Sequence, residues 1–369
     1  MKRIIALVAC VLIAFSFSAE SFADCKGMVL IDAQNKRVLY ESGKDKKLPM
    51  ASTTKIMTAL LALEETDLDK RFVVDKTAIK VEGSSMGLLE NDIVSLRTLS
   101  AGMLLASGND AANAAAVRVS GSIPEFVKNM NERASEIGMK NTNFETPSGL
   151  DSENHYSTAF DMALLAVSAL DNPDFAAICS QEDMRLEYGN PPYKRWLCNH
   201  NRLLKIMPEV TGVKTGFTKK SGRCLVSSAE KDGVSLVCVT LNCSDDWNVH
   251  RNIYNEYFEK LSSRELDGKV ESIVIPVCGG TEESVTASAK PVKASLFDGE
   301  EENVVYTVIA EPFIFAPIEA GDIVGKVKFY SDNDFIAETP LLADVSVNIK
   351  SNENSLFQKI KNSLINQEK

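Results

Sequence analysis

Histidine is scarce in this 369-residue chain: only His155, His200 and His250 occur, far apart and without metal-ligand spacing. A metal centre is therefore not expected. Positive charge is the minority, with 40 Lys and Arg against 51 Asp and Glu, a net charge of −11 and no basic block. Nucleic acid is not an expected partner, because binding phosphate wants clustered Lys and Arg. The apolar run at residues 4–14 is shorter than the roughly 20 residues that cross a bilayer comfortably. Cysteine occurs eight times but forms no framework. Beyond Cys10, the seven others (Cys25, Cys179, Cys198, Cys224, Cys238, Cys243, Cys278) are odd in number and irregular in spacing. Buried or free thiols are the expectation, although an exported chain could form bridges. No cofactor is expected.

With 44% hydrophobic and 25% charged residues, the chain has a globular composition long enough for two domains. Lys2 and Arg3 precede the apolar run, and Ser16, Ser18 and Ala19 follow it. This pattern reads as a secretory signal over residues 1–23, cut after Ala23. Too few apolar residues precede Cys10 for a lipoprotein signal.

Strand patterns at 28–32 and 37–40 open the mature chain, and a matching pair lies far downstream at 224–229 and 234–241. Between them the periodicity is helical, at 52–64, 96–106, 110–119, 124–137 and 158–170. Terminal strands around a helical middle predict an α+β domain over residues 24–263, an antiparallel sheet packed by helices. From residue 264 the texture changes to short β-branched runs at 272–277, 304–309, 323–330 and 335–337. These predict a small β-sandwich over 264–348 with a spacing or docking role. Residues 349–369 place Leu356, Phe357, Ile360, Leu364 and Ile365 on one helical face. Such a face either packs back on the sandwich or lies on a membrane surface, and the polar hinge at 351–354 favours the membrane.

Three short motifs carry the chemistry. Ser52-Thr53-Thr54-Lys55 opens an apolar helix, where residues three apart share a face and a desolvated amine can take the serine proton. The helix N-terminus stabilises negative charge developing beside Ser52. Ser107-Gly108-Asn109 sits between two predicted helices, where Ser107 can pass a proton to a leaving group and Asn109 can bind a substrate amide. Lys214-Thr215-Gly216 falls on a β-branched run read as an edge strand; its lysine and hydroxyl can hold a carboxylate or polarise the serine–lysine pair, and its glycine permits close approach of a substrate backbone. Each motif alone has a mundane explanation, respectively a helix cap, a second cap and a solvated surface strand. Their joint occurrence in this order does not.

Taken with their flanks, 48–58, 107–112 and 213–218, these motifs resemble the low-molecular-weight penicillin-binding D-alanyl-D-alanine carboxypeptidases. The resemblance extends to the segment 155–159, taken here as packing, and to the β-rich second domain and amphipathic tail. It implies a β-lactamase/transpeptidase-like catalytic domain, with Ser52 as nucleophile, Lys55 as base and Ser107 as proton shuttle. It further implies that Asn109, Lys214, Thr215 and Gly216 bind substrate and that the backbone N–H groups of Ser52 and Phe217 form an oxyanion hole. The implied substrates are peptidoglycan stem peptides ending in D-Ala-D-Ala, with β-lactams as covalent inhibitors and no cofactor. The implied location is the outer face of the cytoplasmic membrane, reached through the C-terminal helix. Some members carry an arginine beyond the third motif; the segment 245–251 offers only Arg251 as a weak match. A β-lactamase, an endopeptidase or transpeptidase, and a non-catalytic peptidoglycan binder are the rival readings.

Overall fold

A computed structural model describes residues 25–266 and 272–350. The signal expected at 1–23 lies outside the described residues, as does almost all of the C-terminal helix expected at 349–369. The first domain is built on a five-stranded antiparallel sheet whose strands run, edge to edge, Val38–Ser42, Gly27–Asp32, Val234–Leu241, Gly222–Lys231 and Val210–Thr218. The strand carrying Lys214 is thus an edge, which leaves one side of it open to a ligand.

Both faces of this sheet are covered, which explains why Gly27–Asp32 is buried along its whole length, and apolar up to Asp32, rather than alternating. Val29 and Ile31, with Val237 and Val239, face a helical layer made by Lys55–Leu63, Leu96–Leu104, Asn109–Ser120 and Ala159–Leu170. Met28 and Leu30, with Leu236 and Cys238, pack instead on Ile253, Tyr254 and Tyr257 of the helix Asp246–Lys260. That helix also carries His250, fully buried, with Nδ1 2.6 Å from Ser227 Oγ and Nε2 2.9 Å from Thr240 Oγ1. Burial lowers its pKa to about 3, so it is a neutral, fully bonded member of the core.

The second domain is all β. Its six-stranded sheet faces a two-stranded one, Leu261–Leu266 with Val292–Phe297, over a core that includes Leu296, Phe329 and Ile336. The boundary expected at residue 264 falls inside Leu261–Leu266, which follows directly on the helix Asp246–Lys260. The two domains are joined by side chains as well as by the chain. Arg37 donates to both carboxylate oxygens of Glu300 at 3.0 and 2.5 Å, and Asp32 accepts from the Ser295 backbone at 3.2 Å.

One expectation is corrected. Cys25 and Cys243 form a disulfide. Gly27 pairs with Leu241 in antiparallel register, so the residues two further out on each strand come face to face although 218 positions separate them. No spacing rule reads such a pairing from sequence, because the strand register creates it. Cys179, Cys198, Cys224, Cys238 and Cys278 are free thiols.

Candidate active site

Ser52 lies in a 3-10 turn, Ala51–Thr54, that runs straight into the helix Lys55–Leu63. Sequence reading expected one continuous helix from residue 52. The difference matters, because residues three apart eclipse one another in a 3-10 turn. Lys55 Nζ accordingly stands 3.0 Å from Ser52 Oγ. Ala51, just before the nucleophile candidate, has φ +49, a conformation costly for a residue with a Cβ. It is held there from behind. Ala51 O accepts the Thr54 hydroxyl at 2.8 Å, and Thr54 Oγ1 lies 2.8 Å from His155 Nε2. His155 Nδ1 accepts the Glu145 backbone N–H at 2.9 Å, so Nε2 carries the proton and donates to Thr54. Burial lowers the His155 pKa to about 4 and keeps the ring neutral. His155, read from sequence as packing, is therefore hydrogen-bonded to the turn that presents Ser52.

Lys55 is fully buried, and its amine has three oxygen neighbours: Ser52 Oγ, Asn109 Oδ1 at 2.8 Å and Ser148 O at 2.5 Å. Burial, reinforced by the positive Lys214 and opposed by Asp110, holds its pKa well below the ordinary lysine value. A neutral amine has two N–H bonds and one lone pair. Both carbonyl oxygens can only accept, so they take the two N–H bonds and the lone pair is left facing the Ser52 hydroxyl. The orientation of Asn109 is fixed independently, since its Nδ2 donates to Glu82 O at 2.6 Å.

The three motifs converge. Ser107, with φ +57, precedes the helix Asn109–Ser120, so Asn109 occupies its first turn rather than a loop. Ser107 lines an open cleft of about 320 Å³ together with Ser52, Thr215, Gly216 and Phe217. Lys55, Asn109 and Lys214 are buried just outside that lining, at 0%, 4% and 1% exposure. The Lys214 amine donates to Thr215 O at 2.9 Å, and burial lowers its pKa to about 7. Gly216 has a role that sequence reading assigned differently. A Cβ there would lie 2.9 Å from Met50 O and 3.1 Å from Thr53 N, so it is the protein's own turn carrying Ser52 that demands a glycine.

Two further cationic residues line the cleft, Arg202 and Arg223, beside His200. Arg223 lies directly across from Phe217 on the neighbouring strand. Its Nε and Nη2 donate to Asp246 Oδ1 at 3.0 and 2.6 Å, and the guanidinium stands 5.3 Å from the centre of the Trp247 ring. Arg251, the weak sequence match, is outside the cleft lining and bonds to Asn248 on its own helix at 2.9 Å. The segment 245–251 thus contributes the carboxylate that orients an arginine, not the arginine itself. Among the described residues no cluster of His, Cys, Asp and Glu has the makings of a metal site.

A family model for D-alanyl-D-alanine carboxypeptidase matches residues 15–245. The chain belongs to this serine peptidase family. A second model, the C-terminal domain of penicillin-binding protein 5, matches residues 268–348. Similar carboxypeptidases include DacF of Bacillus subtilis, 32% identical over 93% of this chain and 94% of the relative. DacC of Escherichia coli is 31% identical over 86% of this chain and 83% of its own length. The crystal structure of penicillin-binding protein 5 from Haemophilus influenzae superposes with a TM-score of 0.74 at 28% identity, covering 88% of this chain and 98% of that one. The transpeptidase-like α+β fold is therefore followed here by a β domain of the penicillin-binding protein 5 type.

Proposed function

We propose that this protein is an exported serine D-Ala-D-Ala carboxypeptidase that trims peptidoglycan stem peptides and is acylated by penicillins. The observation that carries the reading is the buried Lys55 amine 3.0 Å from Ser52 Oγ, whose two other neighbours are carbonyl oxygens that can only accept, so that its deprotonated form turns its lone pair to Ser52. Ser52 Oγ attacks the carbonyl carbon of the penultimate D-alanine while its proton passes to Lys55. The resulting oxyanion sits between the backbone N–H groups of Ser52 and Phe217. Collapse breaks the peptide bond, and Ser107 relays the proton to the departing D-alanine amine. Water then cleaves the ester, returning the Ser52 hydroxyl and releasing the shortened peptide. With a β-lactam the broken amide bond is in a ring, so the leaving amine stays tethered and the adduct persists.

Asn109 binds the substrate amide, and Lys214 and Thr215 meet the terminal carboxylate. Arg223 is assigned to the same carboxylate, since it faces the cleft opposite Phe217 and is already aligned by Asp246. The test is D-alanine release from a diacyl-L-Lys-D-Ala-D-Ala peptide and from its C-terminal amide. The free acid is expected to be cleaved and the amide poorly. Arg223→Ala is expected to raise KM for the acid roughly tenfold and to narrow that preference. Cleavage of neither peptide would defeat the proposed activity.

The tail is assigned to the membrane surface, on the outer face of the cytoplasmic membrane, on the strength of its one-sided apolar pattern. A chain ending at Lys350 is expected to leave the membrane fraction on cell fractionation while retaining D-alanine release. Unchanged fractionation would remove the tail from that role.

A further inference from the structure

The segment 82–88 forms one wall of the cleft through Ser84 and is gripped from two sides. From the helix Asn109–Ser120, the Asp110 carboxylate accepts the backbone N–H groups of Met86, Gly87 and Leu88 at 2.9, 3.1 and 2.9 Å. From the opposite side comes a hairpin, Asp183–Gly189 with Pro192–Cys198, which has no place in the chemistry derived above. Its Arg195 donates to Gly87 O at 2.5 Å and to Asp92 Oδ2 at 3.3 Å. The guanidinium stands between the rings of Tyr188 and Tyr193, 4.2 and 4.1 Å from their centres, and Tyr188 donates its hydroxyl to Met86 O at 2.7 Å. Asp110 thus holds the N–H groups of this short segment while the hairpin holds its carbonyls.

The same segment is what fixes Asn109. Glu82 O accepts Asn109 Nδ2 at 2.6 Å, Ser84 O accepts the Asn109 backbone N–H at 2.7 Å, and Asn109 Oδ1 in turn accepts from Lys55 at 2.8 Å. Short polar contacts, joined by the few residues of backbone between Ser84 and Gly87, therefore link Arg195 to the amine beside Ser52.

We propose that Arg195 is a positioning residue of the acylation step: clamping the 86–87 carbonyls from outside, it keeps Asn109 and Lys55 aligned on Ser52. The proposal rests on the reading of Ser52 and Lys55 as nucleophile and base. Arginine suits this place because its planar fork stacks between two rings while still donating at its edges, which lysine does less well. A loosened wall allows small displacements at Lys55, and displacements of about 1 Å at a reacting group cost up to roughly a hundredfold in rate.

The experiment is rapid-mixing acylation of the full chain by a fluorescent penicillin, separating the non-covalent dissociation constant from the first-order acylation rate. Intact mass of the unaltered chain after labelling comes first, because absence of an adduct there would sink the reading of Ser52 rather than the role of Arg195. Arg195→Ala is expected to lower the acylation rate roughly tenfold to a hundredfold while changing the dissociation constant by less than about threefold. Arg195→Lys is expected to recover part of the rate. Tyr188→Phe, which deletes only the hydroxyl on Met86 O, is expected to lower the rate several-fold. An unchanged acylation rate in folded Arg195→Ala, or equal losses in binding and rate, would overturn the proposal. Should Arg195→Ala fail to fold, an unchanged rate in Tyr188→Phe overturns it instead.

Discussion

Ser52→Ala is expected to leave no covalent adduct after incubation with penicillin and to cut D-alanine release by a factor on the order of 10⁴ or more. The hydroxyl is the nucleophile in the proposed mechanism, and nothing else lining the cleft replaces it. Ser84 and Ser107 also line that cleft, but the Lys55 amine bonds to Ser52 and to neither of them. Cys224, the thiol in the lining, is buried, and desolvation raises its pKa to about 11, so it supplies no thiolate at neutral pH. The fold should survive the substitution, because Ser52 Oγ is only one of three oxygens around the amine. Intact-mass spectrometry after penicillin treatment decides the matter. A full penicilloyl adduct on Ser52→Ala would end the assignment.

The second large effect belongs to Lys55. Lys55→Ala is expected to slow acylation by roughly 10²–10⁴-fold, the usual worth of a positioned general base. The pH dependence carries more information. Only the neutral amine accepts the serine proton, so acylation rises as pH climbs through the Lys55 pKa, which burial and the Lys214 charge hold well below 10.5. Lys214 works in the opposite sense. Its positive charge attracts the substrate carboxylate, and burial has lowered its pKa to about 7, so the free enzyme loses that charge as pH rises past this value. The profile of kcat/KM for a carboxylate substrate should therefore be a bell, rising with loss of the Lys55 proton and falling with loss of the Lys214 charge. For Lys214→Arg, whose charge does not titrate in this range, the alkaline side should vanish while the acidic side remains. In Lys55→Ala the acidic side should disappear. Persistence of the acidic side in that variant would assign the base elsewhere.

How much of this was legible in the sequence depended on the distance over which each feature is decided. Ser52 and Lys55 are three residues apart, and a helical or a 3-10 turn alike puts them on one side, so their pairing was legible locally, whereas the 3-10 turn itself depends on His155 and Gly216 far along the chain. The edge position of the Lys214 strand was legible from its β-branched run, and the sheet places it there. Arg223 was not found, since its claim rests on lying across an antiparallel register from Phe217. The signal was nevertheless present: a lone arginine just past the turn that follows the third motif, with an acidic residue and a tryptophan 23 and 24 positions later that prove to be its partners. The helix Asp246–Lys260 also went unread. Its buried stripe of Val249, Ile253, Tyr254 and Tyr257 is narrow and includes a buried histidine, which blurs the periodicity. The hairpin that supplies Arg195 is polar on its outer face and joined by a short turn, so it looked like loop.

The bridge between Cys25 and Cys243 turns the catalytic unit into a covalently closed ring, with the β domain hanging outside it as a tail. A protease that nicks any one peptide bond inside the ring leaves both fragments tethered, and the sheet that pairs Gly27 with Leu241 keeps those two strands in register. Closing a loop of this size also removes on the order of 5 kcal/mol of freedom from the unfolded chain, by the entropic model of such links. Durability of this enzyme is thereby tied to an oxidising surrounding, and the same polypeptide held among reducing thiols would be the more perishable form.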